Sequence, residues 1–176
     1  MDKPLVLWGG TDVDSYYYDE PRSKWAQLPD IHRDTKEFNA VNKAVKDGQP
    51  IVGVCRGAQL LCIANGGKLY QHSQPSVQCH DIMTKTGILI ENVAADHHQI
   101  MIPMGNYIKL AYNPYKVGIY FDNNKFDFVE KTPEVVWFPD TRCLAIQPHP
   151  EWMDSTHPFN VWLNELMKEL EIEYEF

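Results

Sequence analysis

The chain has 176 residues, 44% of them hydrophobic and 23% charged, which is the balance of a globular domain large enough to bury a core. Its net charge of −8 argues against direct binding to nucleic acid or to an anionic membrane. No apolar run reaches about 18 residues, and the run at 5–8 is too short for a signal peptide, so neither a membrane span nor a leader is expected. Irregularly spaced cysteines (55, 62, 79 and 143) favour free thiols and a cytoplasmic location.

The first 65 residues alternate apolar strands with helical segments, which is the order of a parallel sheet with crossover helices. Ligands of such sheets bind beyond the carboxyl ends of the strands. Gly9-Gly10 and Cys55 each follow a predicted strand directly, so we expect them to share one edge of the sheet. The predicted elements are a strand at 5–8, a loop at 11–29, a helix at 34–47 with Asp34 as its N-cap, a strand at 50–54 and a helix at 56–65.

The rest of the sequence consists of short strand-like runs, and an amphipathic helix closes it. No repeat, low-complexity tract or linker interrupts the chain, so residues 1–176 are predicted to form one α/β domain whose sheet has a mixed or antiparallel extension. The strand-like runs are 88–90, 107–112, 126–129, 134–138 and 143–146, and the helix is 156–170.

Residues 53–59 (Gly-Val-Cys-Arg-Gly-Ala-Gln) place a cysteine between a β-branched strand and an apolar helix. Glycines on both sides suit a tight, strained turn, because a larger side chain would collide with the neighbouring strand or helix. A thiol at a helix N-terminus also lies at the positive end of the helix dipole, which favours the thiolate. The motif therefore favours a catalytic cysteine over a structural one.

A cysteine nucleophile needs a base and a group that orients the base. Among the seven histidines, His149 directly follows the predicted strand 143–146 and is stiffened by a proline on each side. Glu151 is two residues further on, so an extended chain would point both side chains the same way. A carboxylate on one ring nitrogen fixes the tautomer and leaves the other nitrogen for the thiol. The alternative is a polar loop whose prolines merely end a strand.

Metal binding is not predicted. Cys79-His80 and His72 are the candidate ligands, but their spacing matches no standard zinc pattern. No cofactor is predicted either.

The motifs at 53–59 and 149–151 together resemble the class I glutamine amidotransferase superfamily, whose glutaminase triad is Cys-His-Glu. Further motifs, all in the family's order, make the chain similar to the gamma-glutamyl hydrolase branch, peptidase family C26, which includes gamma-glutamyl-gamma-aminobutyrate hydrolases. The resemblance implies a flavodoxin-like α/β/α sandwich of three layers with a mostly parallel sheet. The further motifs are residues 9–13, 33–37, 65–71 and 97–99.

The resemblance also implies roles for individual residues. Cys55 would be the nucleophile, His149 the general base and acid, and Glu151 the orienting carboxylate. The backbone N–H groups of Gly10 and Arg56 would form the oxyanion hole, and Gly9, Gln59 and His98 would bind substrate. Asp12 and Arg33 are interpreted as a loop ion pair or helix-cap charges rather than as catalytic groups.

The implied reaction is hydrolysis of a gamma-glutamyl amide through a gamma-glutamyl thioester, on a small-molecule substrate. Two alternatives stay open: a glutaminase that delivers ammonia to a separate synthetase, and a non-catalytic ligand-binding module on the same fold. Departures from the family's usual residues, at His72, Ala95 and Pro148, concern the side of the pocket that would hold the leaving group.

Overall fold

The computed structural model describes residues 2–74, 79–121 and 125–176. Within these ranges no helix is long and apolar enough to cross a membrane. The helices are α1 (Ile31–Lys46), α2 (Arg56–Ala64) and α3 (Pro158–Glu169), with short 3-10 helices at Ser15–Tyr18 and Pro150–Trp152. The strands are β1 (Leu5–Leu7), β2 (Ile51–Val54), β3 (Lys68–Tyr70), β4 (His72–Gln74), β5 (Cys79–Thr84), β6 (Leu89–Ala94), β7 (Ile100–Ile102), β8 (Ile108–Tyr112), β9 (Val117–Phe121), β10 (Lys125–Val129), β11 (Pro133–Phe138) and β12 (Cys143–Ile146).

A seven-stranded sheet in the order β1-β2-β12-β11-β8-β5-β6 forms the centre of the fold. Only β1 with β2 and β2 with β12 pair in parallel, and the other neighbours are antiparallel. The expected mostly parallel sheet is therefore corrected to a mixed one. Parallel pairs need a long crossover, usually helical, and between α2 and α3 the described residues contain no α-helix. Smaller sheets of β10-β9-β4 and β3-β7 lie beside it.

Helices cover both faces of the central sheet, which confirms the predicted three-layer α/β arrangement. Side chains alternate along each strand, so Ile51 and Ala145 point into one core while Val52 and Leu144 point into the other. The first core is completed by α1 and α2, and the second by α3. The sequence predicts apolar residues 159, 162, 163 and 166 on one face of the last helix; Phe159, Leu163 and Leu166 are buried there, and Trp162 is half-buried against the same core.

The start of α1 differs from the prediction. Its N-cap is Asp30, whose side chain accepts a hydrogen bond from the Arg33 N–H, and not Asp34. Asp34 lies in the first turn and is fully buried, because its carboxylate is bound to Arg56 and to the backbone of Asp14. A cap assigned from spacing alone could not foresee that tertiary partner.

Candidate active site

Cys55 lies at a strained turn between β2 and α2, with a φ of 51° and a ψ of −108°. For a residue other than glycine this backbone conformation is costly, and such strain concentrates at functional sites. The flanking glycines explain how the turn fits. A Cβ on Gly53 would lie 2.5 Å from the Gly57 carbonyl, and one on Gly57 would overlap the backbone of Leu7. The elbow predicted from the sequence is thus present in the backbone.

Burial in this geometry disfavours the thiolate form of Cys55. Burial raises the pKa of the Cys55 thiol to about 12, and nearby carboxylates, first that of Asp96, act in the same direction. The Arg56 backbone N–H lowers this pKa, as expected at a helix N-terminus. Desolvation therefore opposes the thiolate that the helix dipole favours. A base must take the proton as the sulfur reacts.

The Gly9-Gly10 loop lies directly beside the elbow. A Cβ on Gly9 would lie 3.1 Å from His149 Cε1 and 3.7 Å from Cys55 Cβ, so the bare glycine separates the two side chains. Gly10 has a φ of 152°, and a side chain there would overlap the Arg33 guanidinium. Arg33 Nη2 donates to the carbonyls of Trp8 (2.9 Å) and Gly9 (3.1 Å), which fixes the orientation of the loop peptides.

Arg56 is anchored by its side chain beneath the site. Its guanidinium is 1% exposed and forms ion pairs with Asp34 and Glu37. Glu37 also accepts from Arg33 Nε at 2.8 Å, so the two arginines share the Glu37 carboxylate. Burial raises the pKa of Asp34, and the adjacent guanidinium opposes that shift. With its side chain so occupied, Arg56 has only its backbone N–H directed toward Cys55.

His149 is held from three directions. Its Nδ1 hydrogen-bonds Glu151 Oε1 at 2.7 Å, its ring stacks on Trp152 with centroids 3.7 Å apart, and its backbone N–H donates to the Ala94 carbonyl at 2.8 Å. A carboxylate on Nδ1 places the ring proton there and leaves Nε2 as the acceptor. This is the arrangement of an oriented general base.

One open cavity of about 600 Å³ joins these parts. The predicted shared edge of the sheet is therefore observed, since loops after β1, β2 and β12 all reach the cavity. Within the described ranges, its lining includes six of the eight predicted site residues, Gly9, Gly10, Cys55, His98, His149 and Glu151, together with Trp8, Gln27, Asp96, His97 and Trp152.

The two remaining predicted residues, Arg56 and Gln59, are not among the described residues that line the cavity. Arg56 could contribute only its backbone, as described above. Gln59 follows Cys55 by one helical turn, its N–H donates to the Cys55 carbonyl at 3.1 Å, and it is 4% exposed. Substrate contact by its side chain therefore stays a prediction.

His98 belongs to a polar group on the opposite wall. Its Nε2 lies 3.0 Å from Asp12 Oδ1, and its Nδ1 lies 3.2 Å from His72 Nδ1. Trp25 stacks on His72 with centroids 5.1 Å apart. Burial, and then the neighbouring His98, lower the pKa of His72. Asp12 also accepts from the Gln27 N–H at 2.8 Å, which connects two ends of the 11–29 loop. Among the described residues its ion-pair partner is His98, and not Arg33 as interpreted from the sequence.

Comparison with known proteins gives a family. The Peptidase C26 profile matches residues 1–119. The glutamine amidotransferase-like protein YvdE of Lactococcus lactis is 32% identical over 91% of this chain and 70% of its own length. The chain belongs to the Peptidase C26 family. Membership supports amide hydrolysis or glutamine amidotransferase chemistry.

Solved structures agree on the fold of this C26 member. A glutamine amidotransferase from Thermotoga maritima matches with a TM-score of 0.57 and 13% identity, over 97% of this chain and 67% of that one. A Thermoplasma acidophilum protein described as part of a GMP synthase matches with a TM-score of 0.55 and 18% identity, over 84% of this chain and 63% of that one. The chain thus spans about two thirds of the length of these matches.

Sequence reasoning missed several residues of the C26 site. Trp152 directly follows Glu151, and its proximity to the predicted base was an available signal. Asp96, whose carbonyl lies 3.8 Å from Cys55 Sγ, and His97 come from a loop that only the tertiary fold brings to the elbow. That loop also brings His97 near His80 and Glu134, a group with metal-ligand geometry that sequence spacing did not indicate.

Proposed function

We propose that the protein is a cysteine-dependent hydrolase of gamma-glutamyl amides that works through a gamma-glutamyl thioester. The observation that carries this proposal is the strained Cys55 in one cavity with an imidazole hydrogen-bonded to a carboxylate. Membership of the C26 family supports the same chemistry. The raised pKa of the buried Cys55 thiol fits a mechanism in which proton removal accompanies attack.

In the proposed first step, Cys55 Sγ attacks the side-chain carbonyl carbon of the gamma-glutamyl group while its proton passes to His149 Nε2. Glu151 stabilises the imidazolium through Nδ1. The carbonyl oxygen, now negative, accepts hydrogen bonds from the backbone N–H groups of Gly10 and Arg56. Donors of this kind are each worth about 3 kcal/mol of transition-state stabilisation.

In the second step the tetrahedral intermediate collapses. The C–N bond breaks, His149 gives its proton to the departing nitrogen, and the acyl group remains on sulfur as a thioester. Water then gives a proton to His149 and attacks the thioester carbon, which releases glutamate and regenerates the thiol. The reaction needs no oxidant or reductant.

A second candidate is a glutaminase that passes ammonia to a separate synthetase. The structural match described as part of a GMP synthase favours it, since one part of such an enzyme works with another. The two candidates differ in the leaving group and in dependence on a second protein. An isolated hydrolase of larger amides turns over gamma-glutamyl amines unaided, whereas a synthetase-coupled glutaminase prefers glutamine and is stimulated by its partner.

The test is a substrate panel of glutamine, gamma-glutamyl amines and poly-gamma-glutamates, with free glutamate and ammonia measured. We expect Cys55→Ala to lower glutamate release by at least about 1000-fold. Cys62→Ala is the matched control, because Cys62 is a buried thiol on the same helix but outside the cavity. Unchanged turnover in Cys55→Ala would rule the mechanism out.

A chloroketone analogue of glutamine distinguishes an enzyme from a silent binding module. If the protein is an enzyme, the chloroketone should modify Cys55 in preference to the other three cysteines, including the exposed Cys79. Modification that follows exposure alone, with Cys79 first, would favour the binding module.

A further inference from the structure

We infer that His80, His97 and Glu134 bind a divalent transition-metal ion of the zinc class, at a site distinct from the proposed catalytic triad. Their candidate ligand atoms all lie within 4.8 Å of one another. Nε2 of His80 is 3.1 Å from Glu134 Oε1, and Nε2 of His97 is 3.8 Å from Glu134 Oε2. Tetrahedral zinc, with bonds of about 2.1 Å, separates its ligand atoms by about 3.4 Å. The three side chains therefore nearly have the spacing that such an ion requires.

The fold explains why these residues meet. Strand β8 lies between β5 and β11 in the sheet. Its last residue, Tyr112, pairs with Met83 of β5 in antiparallel orientation, so His80 lies beyond the end of β8. Glu134 lies at an irregularity of β11, where the register against β8 shifts between Pro133 and Val135. Such bulges redirect a side chain. His97 enters from the loop between β6 and β7, and it completes the group.

Two of the ligand atoms have no hydrogen-bond partner. His80 Nε2 and Glu134 Oε2 are both buried and make no aligned hydrogen bond, although each lies within ion-pair range of another member of the group, and the Glu134 side chain is only 1% exposed. The short His80–Glu134 contact is therefore not aligned as a hydrogen bond. A buried carboxylate oxygen without a hydrogen bond is costly, and native proteins usually give such an oxygen a hydrogen bond or a metal. A bound cation would satisfy both atoms.

The tautomer of His97 is set for ligation. Its Nδ1 lies 3.0 Å from the Gln99 carbonyl, which can only accept, so Nδ1 carries the proton. This leaves the lone pair on Nε2, the nitrogen that faces Glu134. Metal-binding histidines characteristically donate their other ring nitrogen to a carbonyl or carboxylate in this way.

The site opens on a cavity of about 410 Å³ that also includes Cys79, Asn113 and Thr132 in its lining. Two histidines and one glutamate with an open fourth position are a recognised zinc ligand set. Cys79 is exposed, so the fourth ligand could be its thiolate or water. His97 lines the Cys55 cavity as well, so a bound ion would place positive charge directly behind that wall.

The site is tested by titrating Co²⁺ into metal-free protein carrying Cys55→Ala, which removes the catalytic thiol as a competing ligand. We expect one equivalent to bind with visible d–d absorption, and Zn²⁺ to displace it. Both His80→Gln and Glu134→Gln should weaken Co²⁺ binding by at least about 100-fold. Loss of a residue that only orients a metal ligand costs at most about that much, and loss of a ligand itself should cost more. His32→Ala, an exposed histidine on α1, is the control and should bind as before.

Zn²⁺ should also raise the Tm of the parent Cys55→Ala protein and leave the Tm of the His80→Gln and Glu134→Gln variants unchanged. This measurement distinguishes a variant that has lost metal binding from one that has lost its fold. The inference is overturned if no saturable absorption appears, if both ligand variants bind like the control, or if binding depends on Cys79 but not on His80. Because none of the three ligands belongs to the proposed triad, amide hydrolysis and metal binding can fail independently.

Discussion

The two walls of the Cys55 cavity are built differently. On the nucleophile wall, the elbow and the Gly9-Gly10 loop are fixed by backbone geometry and by the Arg33 and Arg56 ion pairs below them. On the opposite wall, His98 is held by the side chains of Asp12, from the loop after β1, and of His72, from β4. The first wall is therefore defined mainly by close backbone packing, whereas the second depends on contacts between side chains. We therefore expect substitutions on the nucleophile wall to affect the chemical step, and substitutions on the opposite wall to affect substrate binding.

The largest effect is expected where the nucleophile wall meets its base. Glu151→Gln keeps the shape of the side chain but removes the charge that stabilises the His149 imidazolium, so kcat should fall about 1000-fold, equivalent to about 4 kcal/mol. Steady-state kinetics on the best substrate of the panel measure it. Glu169→Gln, an exposed residue of α3, is the control. A loss below about 10-fold would mean that stacking on Trp152 alone orients the base.

The next effect concerns stability. Arg56→Met leaves the buried Asp34 carboxylate without its guanidinium, so the free energy of unfolding should fall by about 3–5 kcal/mol. Lys43→Met is the matched control, because Lys43 pairs with Asp47 on the exposed face of α1 and should cost under about 1 kcal/mol. Urea denaturation measures both. Equal losses in the free energy of unfolding would show that the ion pairs beneath the elbow stabilise the fold no more than the exposed pair does.

These predictions also show what the sequence could reveal. The elbow at residues 53–59 and the pair His149 and Glu151 were predictable because each is encoded within a few residues of chain. The α/β class followed from the order of strand-like and helical segments in the first 65 residues, and the three layers followed from the family resemblance. By contrast, β4 and β7 are short and carry little periodic signal, and the antiparallel order of the sheet follows from long-range pairing.

Buried charges were the main source of error. The spacing predicts Asp34 as a helix cap, but its partner Arg56 is 22 residues away and becomes a neighbour only when α1 packs near α2. The group of His80, His97 and Glu134 was not predicted for the same reason, because three separate segments of the chain contribute its side chains. Sequence spacing detects ligands on one element and does not detect ligands that a bulge and a loop bring together.

A smaller effect is expected from Arg33, a positioning residue of the nucleophile wall. Lysine cannot contact Glu37 and both the Trp8 and Gly9 carbonyls at once, so Arg33→Lys should loosen the loop that presents the Gly10 N–H. We expect kcat to fall about 10-fold with KM little changed, because an oxyanion forms only in the transition state. Lys36→Met, exposed on the same helix, is the control. Equal changes in kcat and KM would contradict this role.

The smallest effect should come from the opposite wall. His98→Asn removes the ring that connects Asp12 to His72, and Asp12→Asn removes the charge on its other side. Each should raise KM about 3- to 10-fold for gamma-glutamyl amines while kcat stays within about 3-fold, because contacts made equally in the ground and transition states change binding alone.

A double-mutant cycle sharpens this last prediction. If Asp12 acts by holding His98, the double variant should be no worse than either single variant, since the contact is lost once only. The control is His157→Asn, which affects a histidine at the N-cap of α3, away from this wall. Additive losses, or a fall in kcat as large as that of Arg33→Lys, would place His98 among the groups that act on the reacting atoms. The two walls would then share the chemistry, and substrate choice would have to arise elsewhere in the cavity.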